Sequence, residues 1–330
     1  MSTPIKYLPF EKDIQELEAL LNRLESKDPQ GETSDEVRRM RRELSSLIRK
    51  IYNNLGAWDT VTVARHEQRP QTTDYIAMIF DEFVELHGDR AIGDDRAIRS
   101  GFARIGDHRV MLIGHQKGHN LKEKSECLFG CAHPEGYRKA LAKMKLAEKF
   151  KLPVICLIDT PGAYPGIGAE ERGQAQLIAT SLLEMARLET QVICVVIGEG
   201  GSGGALGIGI GDRVSMLEFA YYSVISPEGC AGILWKEAND ETKRLAADAL
   251  KLTARDLFRL RVIDEIIAEP LGAAHRDPVQ MGNILKAYLL RSLRELKQIP
   301  IADLLEQRYQ KFRKMGVFDE GPQERRDAIG

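Results

Sequence analysis

The sequence predicts an α/β fold built around parallel strands, and three observations carry that expectation. First, "LPVICLI" (152–158) and "TQVICVVI" (190–197) are nearly the same apolar run, and their unbroken apolarity predicts strands covered on both faces. Second, "AEERGQAQLIATSLLEMARL" lies between them with a helical pattern. A strand, a crossover helix and a second strand place the two strands side by side and parallel. Third, each run ends in a glycine-rich loop, "DTPGAYPGIG" after the first and "GEGGSGGALG" after the second. In open parallel sheets the loops beyond the strand C-termini form the ligand crevice, so these two loops mark the expected site.

The remaining elements follow along the chain. Ile14, Leu17, Leu20, Leu21 and Leu24 form one helical stripe, and Val37, Met40, Leu44, Leu47 and Ile51 form another. Pro29 and Gly31 break the segment between them, and Ser34 is the expected N-cap of the second helix. This predicts a helical hairpin over 1–58 whose apolar edges need a partner, ahead of a main domain over 59–330. "DYIAMIFDEFVEL" reads as an amphipathic helix. "AIRSGFARIGDHRVMLIGHQ" reads as two strands around a Gly106-Asp107 turn, and "PEGYRKALAKMKLAEKF" as a helix. "DRVSMLEFA", "YYSVIS" and "LRVIDEII" are expected strands, and residues 281–316 an expected helical tail with Leu285, Leu289, Leu293 and Leu296 as its stripe.

Composition narrows the function. The 330 residues carry 47 Lys and Arg against 49 Asp and Glu, a balance that argues against an electrostatic nucleic-acid binder. No apolar stretch approaches the ~20 residues of a membrane span. The start "MSTPIKYLPFEKDIQ" lacks a secretory apolar core, and five scattered cysteines read as reduced thiols, so a cytoplasmic protein is expected.

The segment "IGEGGSGGALGIGIGD" (197–212) fits three motifs. Gly198-x-Gly200-x-x-Gly203 matches a dinucleotide fingerprint, but the helix it opens can run only to about Ile210, short for that role. Gly200-x-Ser202-x-Gly204 matches a hydrolase nucleophile turn, with Asp264 and His275 following in the required order. However, Gly201 and Gly203 both flank the serine, and Asp264 shows no sign of pairing with His275. The third reading, a backbone oxyanion hole, uses the glycines best. Absent side chains let N–H groups at a helix start approach an anionic oxygen, and each such donor is worth ~3–4 kcal/mol in the transition state. "DTPG" copies a GTPase element, but no phosphate-binding G-x-x-x-x-G-K-[ST] loop accompanies it. His119, Cys127, Cys131 and His133 match no regular zinc spacing, and no metal is expected.

The order of strand, glycine turn, short helix, Asp-Arg-Val strand and Pro-Glu resembles the crotonase superfamily. "ARHEQRP" (64–70), "IGHQKG" (113–118), "PEGYRKAL" (134–141), "IDTPGAYPGIGAEERGQ" (158–174), "VIGEGGSGGAL" (196–206) and "YSVISPEGCAGILW" (222–235) resemble the alpha-subunit family of bacterial-type acetyl-coenzyme A carboxylase carboxyltransferases. The resemblance runs from the hairpin to about residue 310. It departs at "NLKEKSECLFGCAH" (120–133), where cysteines and a histidine replace an expected basic stretch and a methionine. The resemblance implies a crotonase-like spiral of ββα units. It also implies transfer of a carboxyl group from carboxybiotin, held by a biotin carboxyl carrier protein, to acetyl-CoA, giving malonyl-CoA for fatty acid synthesis. It implies further an α2β2 assembly with a zinc-ribbon beta subunit, and biotin carboxylase in the wider complex. Residue by residue, it makes Gly203 and Gly204 the catalytic N–H donors, with Gly162, Ala163, Tyr164, Gly200 and Gly201 in biotin binding.

Overall fold

The structure, a computed structural model, describes residues 5–27 and 35–316. Ser34, the expected cap, lies outside the described residues. Helices α1 (Lys12–Lys27) and α2 (Asp35–Asn53) form the hairpin. They are followed by α3 (Ala57–Ala64) and α4 (Thr72–Ile79), then β1 (Glu82–Glu85), β2 (Ile98–Ile105) and β3 (His108–His115). Next come α5 (Leu121–Glu126), α6 (Pro134–Phe150), β4 (Val154–Thr160), α7 (Ile167–Glu171), α8 (Gln174–Arg187) and β5 (Val192–Gly201). The remainder is α9 (Ser202–Leu206), β6 (Arg213–Leu217), β7 (Tyr221–Ser223), α10 (Pro227–Leu234), α11 (Asp240–Leu250), α12 (Ala254–Arg259), β8 (Glu265–Ile267), α13 (Pro278–Lys297) and α14 (Ile301–Arg313).

The eight strands form one mixed sheet in the order β1-β2-β3-β4-β5-β6-β8. The first three pair antiparallel and the rest parallel. Every residue of β4 and β5 is buried, as the unbroken apolar runs require. Strand β5 outruns β6, and its last three residues, Glu199 to Gly201, pair instead with Tyr221 to Ser223 of β7. The end of β5 therefore projects into the crevice with β4 on one side and β7 on the other.

Four expected elements take a different form. "DYIAMIFDEFVEL" is not one helix: α4 stops at Ile79, Phe80 turns extended, and "EFVE" becomes β1. Alternation over four residues fits both periods, and the cross-strand pairs Arg104–Glu82 at 2.8 Å and Arg99–Glu85 at 2.9 Å favour the strand. The crossover helix divides at Gly173, whose φ of +82° places it in the left-handed region. Strand β8 keeps only the last three residues of "LRVIDEII", after Arg261 at φ +60°. Helix α9 ends at Leu206, short of the expected Ile210, and at Gly207 the Tyr137 ring lies within 2.6 Å of where a Cβ would stand, so that position admits only glycine.

The hairpin's foot is anchored on its own chain. Ile14, Ile48 and Tyr52 cluster with Val63, Phe219 and Ala273. Arg276 reaches Glu11 at 2.9 Å and Glu18 at 2.8 Å. At the other end Arg308 of α14, fully buried, donates to the carbonyls of Met185, Leu188 and Thr190 and pairs with Asp212 at 2.7 Å. That bouquet of acceptors ties the C-terminal helix to the end of the crossover.

Candidate active site

The two glycine loops meet. Thr160 at the end of β4 pairs with Gly200 across a register shift, which brings residues 160–164 against 200–204. A Cβ on Gly201 would lie 2.1 Å from the Pro161 carbonyl oxygen, and one on Gly204 would lie 2.5 Å from the Gly162 carbonyl carbon. A Cβ on Gly200 would stand 2.9 Å from the Tyr222 ring. These three positions admit no side chain, whatever its chemistry. Gly203 differs: its nearest neighbour is the flexible end of Ile178 at 3.3 Å.

Between the loops opens a cavity of about 720 Å³. Gly162, Ala163, Tyr164, Ser202 and Gly203 line it, with Gln174 and Ile178 of α8 and Ile225 beyond β7. Of the residues expected at the site, Gly162, Ala163, Tyr164 and Gly203 are on the wall, while Gly200, Gly201 and Gly204 are packed behind it. Gly203 and Gly204 sit in the first turn of α9, where amides have no intrahelical acceptor, and neither N–H donates to a carbonyl among the described residues. Tyr164 is steadied by His133, with ring centroids 4.2 Å apart, and by its own N–H donating to the Ala132 carbonyl. The unusual stretch 120–133 thus ends against the cavity wall.

Ser202 has the exposed, left-handed backbone of a nucleophile turn, with φ +49°. Its expected partners are engaged elsewhere. The Asp264 carboxylate accepts from the Val214 N–H at 2.7 Å and from Lys311 at 2.8 Å. The His275 ring stacks on His66 at 3.8 Å, and burial pushes its pKa down to about 2. The hydrolase triad therefore does not form. His119 pairs with Asp74 at 2.9 Å, and among the described residues no group of three or more His, Cys, Asp or Glu is placed to hold a metal.

Sequence reasoning missed a charged cluster directly behind the cavity. Glu199 of β5 accepts from Arg65 at 2.6 Å, Lys117 at 2.5 Å and the Tyr221 hydroxyl at 2.7 Å. Lys117 also pairs with Asp159 at 2.7 Å, and Arg65 with Glu228 at 2.5 Å. Burial alone would raise the Glu199 carboxyl, but Lys117 and Arg65 outweigh it and hold the pKa at about 2. A carboxylate so strongly paired carries no proton near neutrality, so Glu199 is not a general acid there. The cluster joins residues up to 163 positions apart, so no local spacing could reveal it. "ARHEQRP" and "IGHQKG" held its cations in plain view.

Comparison with known proteins follows the same line. The family model described as acetyl co-enzyme A carboxylase carboxyltransferase-like matches residues 7–316. The chain belongs to this family. It is 59% identical over 312 residues to the acetyl-coenzyme A carboxylase carboxyl transferase subunit alpha of Rhodopirellula baltica, covering 94% of this chain and 97% of that one. It is 52% identical to the corresponding subunit of Methylococcus capsulatus, covering 96% and 98%. Carboxyltransferase alpha subunits are parts of enzymes, and this chain is one by family. Among solved structures, the transcarboxylase 12S core aligns at TM-score 0.52 and 21% identity over 67% of this chain. The Pseudomonas aeruginosa geranyl-CoA carboxylase beta subunit aligns at 0.54 and 18% over 75%. The chain spans less than half the length of these two, 42% and 46%, and the likeness concerns the fold, which is crotonase-like.

Proposed function

We propose that this chain supplies the carboxybiotin half of an acetyl-CoA carboxylase carboxyltransferase site. Its reaction is transfer of the carboxyl group from carboxybiotin, on a separate carrier protein, to acetyl-CoA, giving malonyl-CoA. The observation that carries this reading is the glycine contact itself. Gly201 and Gly204, which tolerate no Cβ, let the two loops close on each other, and among the described residues the N–H groups of Gly203 and Gly204 have no carbonyl acceptor beside a 720 Å³ cavity.

When bound, carboxybiotin would supply the carboxyl group and the base for the methyl proton of acetyl-CoA. The residues of this chain suit such a ring. The Gly203 and Gly204 N–H groups donate to its ureido oxygen, a role in which each donor is worth on the order of 3 kcal/mol. Gly162, Ala163 and Tyr164 form the facing wall, and Gly200 and Gly201 let the strand come close enough. The side-chain chemistry fits too: the cavity is lined by backbone, small, apolar and neutral polar groups, and its one carboxylate, Glu170, is exposed and makes no ion pair among the described residues. No positioned acid or base is needed.

The second half of the site is assigned to a beta subunit carrying a zinc ribbon, in an α2β2 assembly that works with the carrier protein and biotin carboxylase. Exposed apolar side chains favour a partner: Val224 on the cavity wall is 77% exposed, and Ile233 and Leu234 at the end of α10 are 70% and 65% exposed. The N-terminal hairpin, treated as its own unit over 1–58, is a second candidate contact. The test is carboxyl transfer from malonyl-CoA to free biotin by the chain alone and with a zinc-bearing beta subunit. Activity confined to the mixture, and abolished by Gly203→Val without loss of assembly, is the expected result. Activity of the chain alone, or of the Gly203→Val complex, would sink the proposal.

A further inference from the structure

We infer that the chain has a second binding site, for a single-chain alkyl carboxylate, in an apolar cavity on the opposite side of the glycine turn from the biotin pocket. This cavity measures about 360 Å³ and is walled by Leu206, Val214, Leu250, Leu257, Val262 and Phe312. It shares only Ser202 and Val224 with the larger cavity. Its walls come from α9, β6, β7, α11, α12 and α14, whereas those of the larger cavity come from residues 161–178, Ser202, Gly203 and 224–226. It is therefore a separate space that touches the same turn.

The lining explains the tail of the ligand, and the mouth explains its head. At Met315 the apolar cavity meets a second, wider one of about 640 Å³, lined by Arg259, Arg261, Lys311 and Lys314 against a single carboxylate, Asp264. Lys311 is paired with Asp264 and Arg259 with Asp256, both at 2.8 Å. Arg261 and Lys314 make no ion pair among the described residues. Arg261 is held in a left-handed turn at φ +60°, on the segment that also carries Val262 into the apolar wall. An apolar slot opening onto two cations that make no ion pair among the described residues selects an amphipathic anion over a neutral or cationic one. At roughly 30 Å³ per small group, 360 Å³ takes a chain of about ten carbons. The inference is independent of the biotin assignment, because binding is read without any carboxyl transfer.

The experiment is calorimetric titration of the full chain, alone and with a beta subunit, using hexanoate, octanoate and decanoate below their micelle concentrations. Decyltrimethylammonium is the head-group control. Each added methylene is expected to tighten binding roughly fourfold, so decanoate should bind more than tenfold better than octanoate. The cationic control should not bind. Val262→Phe, which fills the slot, and the double variant Arg261→Glu with Lys314→Glu, which reverses the mouth on the surface, should each weaken decanoate at least tenfold. Several results would overturn the site: a flat chain-length series, equal binding of the cation, or indifference to both variants. Loss of decanoate binding when the beta subunit is added would assign the slot to a subunit contact instead. Binding that emerges only after deletion of residues 317–330 would assign it to the chain's own C-terminal stretch, whose Val-Phe-Asp-Glu start has the same apolar-then-acidic order.

Discussion

The two sides of the loop that follows β4 make opposite use of chemistry. Toward the cavity, Gly162 to Tyr164 and Gly203 present backbone and small groups. Behind them, Lys117, Arg65, Asp159, Glu199 and Tyr221 form a buried ionic cluster around the end of β5. The charge holds the end of β5 in place, and in the proposed site it is the backbone in front of it that faces the carboxybiotin ring. Preorganised amides act in a transition state only if their positions do not relax, and a strand end pinned by several charge-assisted bonds meets that need.

The comparison breaks most sharply at Gly204. A Cβ there would overlap the Gly162 carbonyl carbon at 2.5 Å, so Gly204→Val should lower carboxyl transfer by on the order of a thousandfold, the cost of displacing an oxyanion donor. Gly203→Ala meets only the mobile Ile178 tip and should lose less than tenfold. Equal effects of the two, measured as malonyl-CoA-dependent biotin carboxylation, would mean that loop contact is not what positions the donors.

On the charged side the effect falls on stability first. Lys117→Met leaves Asp159 and Glu199 short of a buried cation and should cost about 3–5 kcal/mol in urea unfolding. Glu199→Gln keeps the shape and should cost less in stability, with a modest loss of turnover. An unchanged urea midpoint for Lys117→Met would show that the cluster pins nothing.

Acid sharpens the same contrast. The Glu199 pKa, held at about 2 in the fold, lies below its ordinary 4.5, so its stabilisation is complete above pH 4.5 and disappears as pH falls toward 2. His275 acts over a higher window. Its folded pKa of about 2 lies below the ordinary 6.5, so the unfolded chain binds the proton first and stability declines as pH drops below 6.5. His66, stacked on it, is shifted in the same direction by burial. Among the described residues, neither His275 ring nitrogen has a hydrogen-bond partner. His275→Phe should therefore remove about 1 kcal/mol per pH unit of slope between pH 6.5 and 5 in denaturation curves. A slope unaltered in the variant would assign the acid sensitivity to other groups.

The smallest expected effect is at Ser202, whose hydroxyl lies in the cavity without a base. Ser202→Ala should leave turnover within about twofold, where loss of a hydrolase nucleophile would cost on the order of 10⁶.

Local pattern sufficed where a long run of one residue class met a long element. The apolar repeats read directly as β4 and β5, the glycine loops as the crevice, and the crossover as a helix, which the left-handed Gly173 divides into α7 and α8. It failed at short or interrupted segments. "EFVE" became a strand because Arg99 and Arg104 stand opposite, and "LRVI" turned at Arg261 rather than extending. The conflict over "GEGGSGGALG" also needed more than spacing. Asp264 and His275 follow Ser202 in hydrolase order, and only three-dimensional placement shows each of them bonded or stacked elsewhere.

By itself, then, the sequence determined the parallel βαβ centre, the two glycine-rich loops beyond it and, through long ordered motifs, the carboxyltransferase family. These depend on periodicity and on residues close together in the chain. Only the tertiary structure decided which glycines are sterically obligatory, that Glu199 is locked as an anion, and that a second apolar cavity backs onto the turn. Each of those rests on segments far apart in sequence, such as Arg65 against Glu199 and Gly204 against Gly162, whose contact energies exist only once the chain has closed on itself.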